Sequence, residues 1–377
     1  MNDHLFISAS LFAFLIIIII IMAVASPILV KLLYDPSRKY ASYRRRKIMQ
    51  CRLNQELRLL SCVHLPSNVT SIINLLNSSY PTSQSPHNVN VLHLIKLVGR
   101  ATPIFISHQK HKKFISNKSY SENVILSFIQ FERDHWEAVE VNVSTAISPP
   151  NLMHEDICNL SLDEQMSFII LPFHRRLSID GTIESEDQAI RNLNCNILKT
   201  APCSVGILVE GRRHLRRFGS KDSSASSSIY SIVIIFLGGN DDQEALTLAK
   251  RFSQDARVGL TVIHLKAPNN LGTMMSEDDA MLDDEILEDV KDNEYVTYIE
   301  EEVKDGRETS VFLRSMVNEH HLIIVGRQYN VENPQTDGLK EWSEFPELGM
   351  IGDLPASEDF SGTCSLLIVQ QQQQNFR

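Results

Sequence analysis

The chain has 377 residues and a formal net charge of −10, with 36 Lys and Arg against 46 Asp and Glu. That balance argues against nucleic acid as a partner of the whole chain, and a hydrophobic share of 43% excludes a disordered chain. The six cysteines, Cys51, Cys62, Cys158, Cys195, Cys203 and Cys364, form no CxxC pair and no zinc spacing, which suits a reducing compartment and excludes a disulfide framework.

The first element is an apolar run from Leu5 to Val30 with no charged residue and six consecutive isoleucines, Ile16 to Ile21. A bilayer core takes about 20 apolar helical residues, so residues 5–33 read as a single transmembrane helix. Its start has no Lys or Arg and its length exceeds a signal-peptide core, so retention is favoured over cleavage. Behind it lie Lys31, Arg38, Lys39, Arg44, Arg45, Arg46 and Lys47. Basic residues stay on the cytoplasmic side, which would leave everything after Lys31 in the cytosol. Tyr34, Tyr40 and Tyr43 in this collar would sit against membrane lipid. Only Ser8, Ser10 and Ser26 are polar within the run, so it reads as an anchor and not an ion pathway.

Strand and helix signals then alternate over residues 48–212. Strands are predicted at Glu56–His64, Val89–Val98, Ala138–Ile147, Met166–Phe173 and Cys203–Val209. Helices fall after Pro66, after Ser121, at Met153–Leu162 and at Glu184–Lys199. Leu92, Leu94, Ile169 and Ile170 belong to runs apolar enough to be buried on both faces. Strands joined by helical crossovers imply a mostly parallel sheet. Residues 213–228, basic and then rich in Ser, read as a linker. The pattern repeats over 229–377, with strands at Ile232–Leu237, Gly259–Leu265, Tyr295–Ile299, His321–Gly326 and Thr363–Val369. Helices are predicted at Glu244–Phe252 and Gly306–His320. The acidic run Ser276–Asp305 has no organising spacing and reads as a solvated face or a mobile loop, with an acidic, cation- or pH-sensitive regulatory segment as the alternative. The fold class is therefore α/β, two tandem doubly wound parallel-sheet domains behind one membrane helix.

The chemistry-bearing motifs are few. Gly238-Gly239 follows a strand and could meet a ligand at the sheet's carboxyl edge, or simply turn the chain. His174-Arg175-Arg176 follows a buried strand and could hold an anion, or serve a solvated loop or an inter-domain contact. His320-His321 opens a strand, where core or helix-end histidines are the default over a metal. Trp342, Phe345 and Pro346 could dock a partner or pack their loop. No Walker, GxSxG or HExxH pattern and no nucleophile–base pair occurs, so no enzyme and no metal site is expected.

Several stretches carry a resemblance. They are LLYDPSRKY at 32–40, VLHLIKLVGRATPIFISH at 91–108, ILPFHRRLSIDG at 170–181, APCSVGILVEGR at 201–212, IIFLGGNDDQEAL at 234–246 and GLKEWSEFPELGMIGDLPAS at 338–357. Through them the chain from Pro27 onward resembles the C-terminal portion of plant cation/proton exchangers of the CHX type. The resemblance implies a regulatory tail behind a many-helix membrane domain that exchanges K+ or Na+ for H+, in potassium transport and pH homeostasis. The chain then looks like a partial member, holding the last membrane helix in an endomembrane or plasma membrane. Its implied partners are membrane lipid, the antiporter membrane domain and a homodimer partner.

Each half is also similar to a universal-stress-protein (UspA-like) domain. Gly326, Gly338, Gly349 and Gly352 then look like a remnant of that fold's nucleotide loop. Asp353, directly after Gly352, would repel phosphate, and no cofactor is expected. A membrane-anchored nucleotide- or ligand-sensing module is the alternative reading. Ser220, beside Arg213, Arg216 and Arg217, is a regulatory phosphorylation candidate.

Overall fold

The apolar runs assemble into one eleven-stranded sheet. The computed structural model describes residues 9–33, 47–52, 54–97, 102–108, 120–177, 183–211, 229–268, 277–328, 331, 333–357 and 364–372. The first half contributes β1 (Leu57–Val63), β2 (His87–Lys96), β3 (Ile104–His108), β4 (Val139–Ser148), β5 (Phe168–Pro172) and β8 (Ser204–Val209). The second contributes β9 (Tyr230–Phe236), β10 (Val258–Lys266), β11 (Val296–Glu302), β12 (Leu322–Gly326) and β13 (Ser365–Gln370). Their spatial order is β11-β10-β9-β12-β13-β8-β5-β1-β2-β4-β3.

Each half flanks its first strand with its second strand and a later one, β1 between β2 and β5 and β9 between β10 and β12, with its closing strand innermost. The closing strands β8 and β13 pair antiparallel, Leu366 opposite Val209 through Gln370 opposite Val205. Their pairing fuses two parallel sheets into one, and it sets the carboxyl edges of the two halves on opposite edges of the sheet. Residues Arg45–Arg377 accordingly form one compact unit.

The strands are buried on both faces, as near-continuous apolar runs demand. In β9, Ile232, Ile234 and Phe236 point to one core and Val233 and Ile235 to the other. The first core is roofed by α2 (Pro66–Ser78), α3 (Tyr120–Asp134), α6 (Asn240–Phe252) and α7 (Glu277–Lys291). The second is roofed by α4 (Met153–Asp163), α5 (Gln188–Thr200), α8 (Gly306–Met316) and α9 (Gly349–Ala356). Leu92, Leu94, Ile169, Ile170, Ile323 and Ile324 are all buried.

Three segments depart from the sequence reading. Ile104–His108, which lies outside every strand expected from the sequence, is an edge strand antiparallel to β4. The start of the helix predicted from Glu184 is instead β7 (Ile183–Glu186), which pairs antiparallel with β6 (Arg175–Leu177); α5 begins only at Gln188. The acidic run is helical over Glu277–Lys291, because Asp283, Leu287 and Val290 recur at helical spacing and are buried beneath the charges.

The remaining helix, α1, runs over Ala9–Leu33 in the separate unit Met1–Arg44. Its described side chains, Phe12–Ala23 and Ser26, are exposed. Among the described residues no helix is long and apolar enough to cross a membrane. The span expected over residues 5–33 therefore does not follow from the structure.

Candidate functional site

In a doubly wound sheet a ligand crevice opens where the strand order reverses, at the carboxyl ends of the strands. Here that happens twice, between β1 and β5 and between β9 and β12. The sequence candidates fall at both places.

The second-half crevice is filled by the chain's own carboxylates. Gly238 and Gly239 leave β9 with φ of 109° and 92°, the left-handed region that favours glycine, and lead directly into α6. Asp242, 1% exposed, accepts from the backbone N–H groups of Leu237 at 2.7 Å, Gly238 at 3.0 Å and Gly326 at 3.0 Å. The Gln328 side-chain amide adds a fourth donor. Asp241 takes the Gln328 and Gln371 N–H groups at 2.9 and 2.7 Å. Asp283 of α7 takes the Gly239 N–H at 2.9 Å. Converging amides of this kind are what hold a phosphate elsewhere. Gly326 permits the arrangement, since a Cβ there would stand 2.1 Å from the Asp242 Oδ1. Burial pushes the Asp242 carboxyl up to about 8 against the pull of the Leu237 amide, and the Asp241 charge adds to the rise. Asp241 is likewise raised by burial.

The other candidate glycines serve packing. Gly349 has φ of 75°, and a Cβ on it would lie 1.9 Å from the Arg327 carbonyl oxygen. A Cβ on Gly352 would meet Ile368 at 2.7 Å, whereas Gly338 has open space around it. Asp353 accepts from the Glu344 and Phe345 N–H groups at 2.7 and 2.9 Å, pinning the loop that precedes α9.

The first-half crevice keeps a cavity of about 240 Å³ bounded by Asn68, Ser71, His174, Arg175, Arg176 and Glu210. Its arginines are already engaged. Arg175 Nη2 contacts Glu186 at 3.3 Å and, from the second half, Glu344 at 2.7 Å. The same guanidinium lies 4.5 Å over the Phe345 ring. Arg176 faces Glu184 at 3.3 Å. Arg191 of α5 contacts Glu347 at 3.0 Å. His174, 3.3 Å from the same carboxylate, is held down to about 4 by burial and then by Arg191, so it is neutral at pH 7. Phe345 is fully buried against Phe173, ring centroids 5.2 Å apart. An anion entering here would have to displace Glu186 or Glu344. The stretch around Phe345 therefore locks the two halves together, while Trp342, three residues earlier, is 82% exposed.

Sequence reasoning missed Glu244. It opens no motif and stands among charged neighbours on an amphipathic helix, so its position predicts a solvated side chain. It is instead fully buried and accepts from Ile48 N–H at 2.5 Å, from Met49 N–H at 3.3 Å and from the Ser204 hydroxyl. His320 and His321 both meet Ser231, the first through its hydroxyl at 2.7 Å and the second through its N–H at 3.1 Å. Among the described residues no group of three or more His, Cys, Asp or Glu is placed to hold a metal ion. Ser220, Gly181 and the linker 213–228 lie outside the described residues.

Fold and crevices define a doubly wound α/β protein of two fused halves, one of whose phosphate-type crevices is closed by its own carboxylates. Residues 89–213 match the family described as "Plant cation/H(+) antiporter domain", and residues 229–370 match "Plant cation/H(+) antiporter, C-terminal domain". The chain belongs to the plant cation/H(+) antiporter family. It is 45% identical over 360 residues to Cation/H(+) antiporter 3 of Arabidopsis thaliana, covering 93% of this chain and 44% of that protein. To Cation/H(+) antiporter 10 of the same organism it is 41% identical over 376 residues, covering 99% and 47%. The chain thus spans about half the length of the curated relatives it matches. Among solved structures, a universal stress protein from Archaeoglobus fulgidus aligns with 83% of this chain and 96% of its own, at 13% identity and a TM-score of 0.43.

Proposed function

We propose that residues 45–377 are the cytosolic regulatory part of a monovalent cation/proton antiporter, acting in potassium transport and pH homeostasis, and that residues 5–33 anchor it to a membrane. The observation that carries this reading is that the two matched antiporter regions fall one in each half of the fused sheet, residues 89–213 from β2 to β8 and residues 229–370 from β9 to β13. The apolar run followed by a basic collar supports the anchor and its orientation. In this reading the chain is not an enzyme. K+ or Na+ and H+ cross only through a membrane domain that works with it, and a second copy is a natural partner. A nucleotide-sensing role is disfavoured in the second half, because the amides that would hold phosphate are bonded to Asp241, Asp242 and Asp283. Phosphate on Ser220 would add charge beside Arg213, Arg216 and Arg217 and is one regulatory input; mass spectrometry of the expressed protein that finds Ser220 unmodified removes it.

A chimera tests the proposal. This chain replaces the aligned C-terminal portion of Arabidopsis Cation/H(+) antiporter 3, and exchange is followed in vesicles. Proton-coupled K+ or Na+ exchange at the parent's level is expected, with the unfused chain leaving the gradient untouched. A chimera that inserts and folds but has lost exchange contradicts the reading.

A further inference from the structure

Helix α6 carries two sets of contacts. Asp241 and Asp242 in its first turn close the second-half crevice. Glu244 and Arg251, farther along, reach the lead-in segment Lys47–Arg52, which precedes the first strand of the other half. Glu244 holds Ile48, Met49 and Ser204 together, the last belonging to β8. Arg251 donates to the Arg52 carbonyl at 3.1 Å and to the Gln55 carbonyl. Lys47 Nζ donates to the Gln371 side chain at 2.7 Å, and the Gln371 N–H donates to Asp241. One helix thus touches the crevice, the seam between the halves and the segment that leads out of the basic collar.

We propose that α6 and Lys47–Arg52 form a proton-sensitive latch, in which docking of the lead-in segment tightens as pH falls and loosens as pH rises. The geometry around Glu244 supplies the mechanism. Its three donors are uncharged, so a fully buried carboxylate sits there with no ion-pair partner among them. Ile48 and Ser204 both use Oε1, while Oε2 has the Met49 amide at 3.3 Å. A proton on Oε2 therefore sacrifices only the longest contact and removes the buried charge. Asp241, Asp242 and Arg251 lie on the same helix, and the Lys47 charge on the lead-in segment favours the ionised form, as do the three hydrogen bonds. Burial prevails and raises the Glu244 carboxyl above its ordinary 4.5. A carboxyl raised in the docked state binds more protons there than when released, so docking gains as pH falls from the raised value towards the ordinary one. The regulatory use of the latch rests on the antiporter reading; the latch itself does not.

Hydrogen exchange on the full chain tests it, reading the Ile48 and Met49 amides between pH 4.5 and 8 after correction for the intrinsic rate. Protection is expected to fall severalfold as pH rises, bounded by about tenfold for each unit by which the docked carboxyl exceeds the released one. Glu244→Gln keeps the Oε1 acceptor without the charge, so its protection should hold the wild type's low-pH value throughout. Glu244→Ala should lose protection at every pH, with its melting temperature recorded to separate undocking from unfolding. Wild-type protection that is flat or rises with pH, or a Gln variant that follows the wild-type curve, overturns the latch. Because none of these readouts involves transport, failure of the latch and failure of the antiporter reading are distinguishable.

Discussion

Replacing Phe345 by Ala removes the side chain on which the two halves close. The ring is fully buried, edge-on to Phe173 at 5.2 Å and His174 at 5.5 Å, with the Arg175 and Arg191 guanidinium groups 4.5 and 5.6 Å from its centroid. Truncating a buried Phe costs about 3–5 kcal/mol through lost transfer energy and the cavity left behind. Each cation–ring contact adds about 0.5–1 kcal/mol. Arg175 and Arg191 keep their carboxylates, so the lower half of the combined range of about 4–7 kcal/mol applies, about 4–5.5 kcal/mol. Urea unfolding of the full chain, followed by far-ultraviolet circular dichroism, measures it against Trp342→Ala. That second variant truncates an 82% exposed ring in the same stretch and should stay within about 0.5 kcal/mol of wild type. A Phe345→Ala loss below about 1 kcal/mol, or an equal loss for both variants, would refute the claim that this loop locks the halves.

Gly326→Ala forces a methyl group to within 2.1 Å of the Asp242 carboxylate and should destabilise by about 1–3 kcal/mol; an unchanged urea midpoint would contradict the placement. Relative to Asp242→Asn, stability should fall as pH rises from about 6.5 to 8. His64, His87, His174 and His264, each lowered to about 4 from an ordinary 6.5, still shed protons from the unfolded chain in that window and oppose the fall, but they do so equally in both proteins. Asp242, raised to about 8 from 3.8, is protonated when folded and ionised when unfolded, so each pH unit costs up to about 1.4 kcal/mol. Denaturant midpoints of both proteins at pH 6.8 and 7.8 read this, and the wild type's margin over Asp242→Asn should shrink by about 1 kcal/mol. Below pH 6.5 the histidines dominate, because they charge on unfolding but stay neutral when folded, and the stability of both proteins should decline.

Apolar runs such as VNVLHLIKLV and YSIVIIF were legible as buried strands because length and β-branching leave little else. Ile104–His108 was not, because an edge strand with Phe105 and Ile106 exposed has neither alternation nor continuous burial to announce it. The β6–β7 hairpin was hidden because two of its pairs, Arg175 opposite Glu186 and Arg176 opposite Ser185, are polar, and Leu177 opposite Ile183 alone is apolar. Glycine positions flagged the second crevice, since Gly238, Gly239 and Gly326 do surround one point. What occupies it was not legible. That Asp242 turns inward depends on which N–H groups β9 and β12 leave unbonded, a fact of pairing and not of composition. Glu244 was missed for the same reason: its partners, Ile48 and Ser204, are 196 and 40 residues away.

The second-half crevice is closed by the protein's own carboxylates, and calorimetric titration of the full chain with ATP tests that most directly. Asp241, Asp242 and Asp283 occupy the amides a phosphate would need. Asp242 occupies its amides even when protonated, and any ionised carboxylate about 4 Å from a phosphate charge repels it by about 4 kcal/mol at an effective dielectric of 20, about half of a micromolar affinity. No saturable heat is predicted up to millimolar ATP. A low-micromolar dissociation constant that weakens in Gly326→Ala would contradict the account and assign the second half to nucleotide sensing.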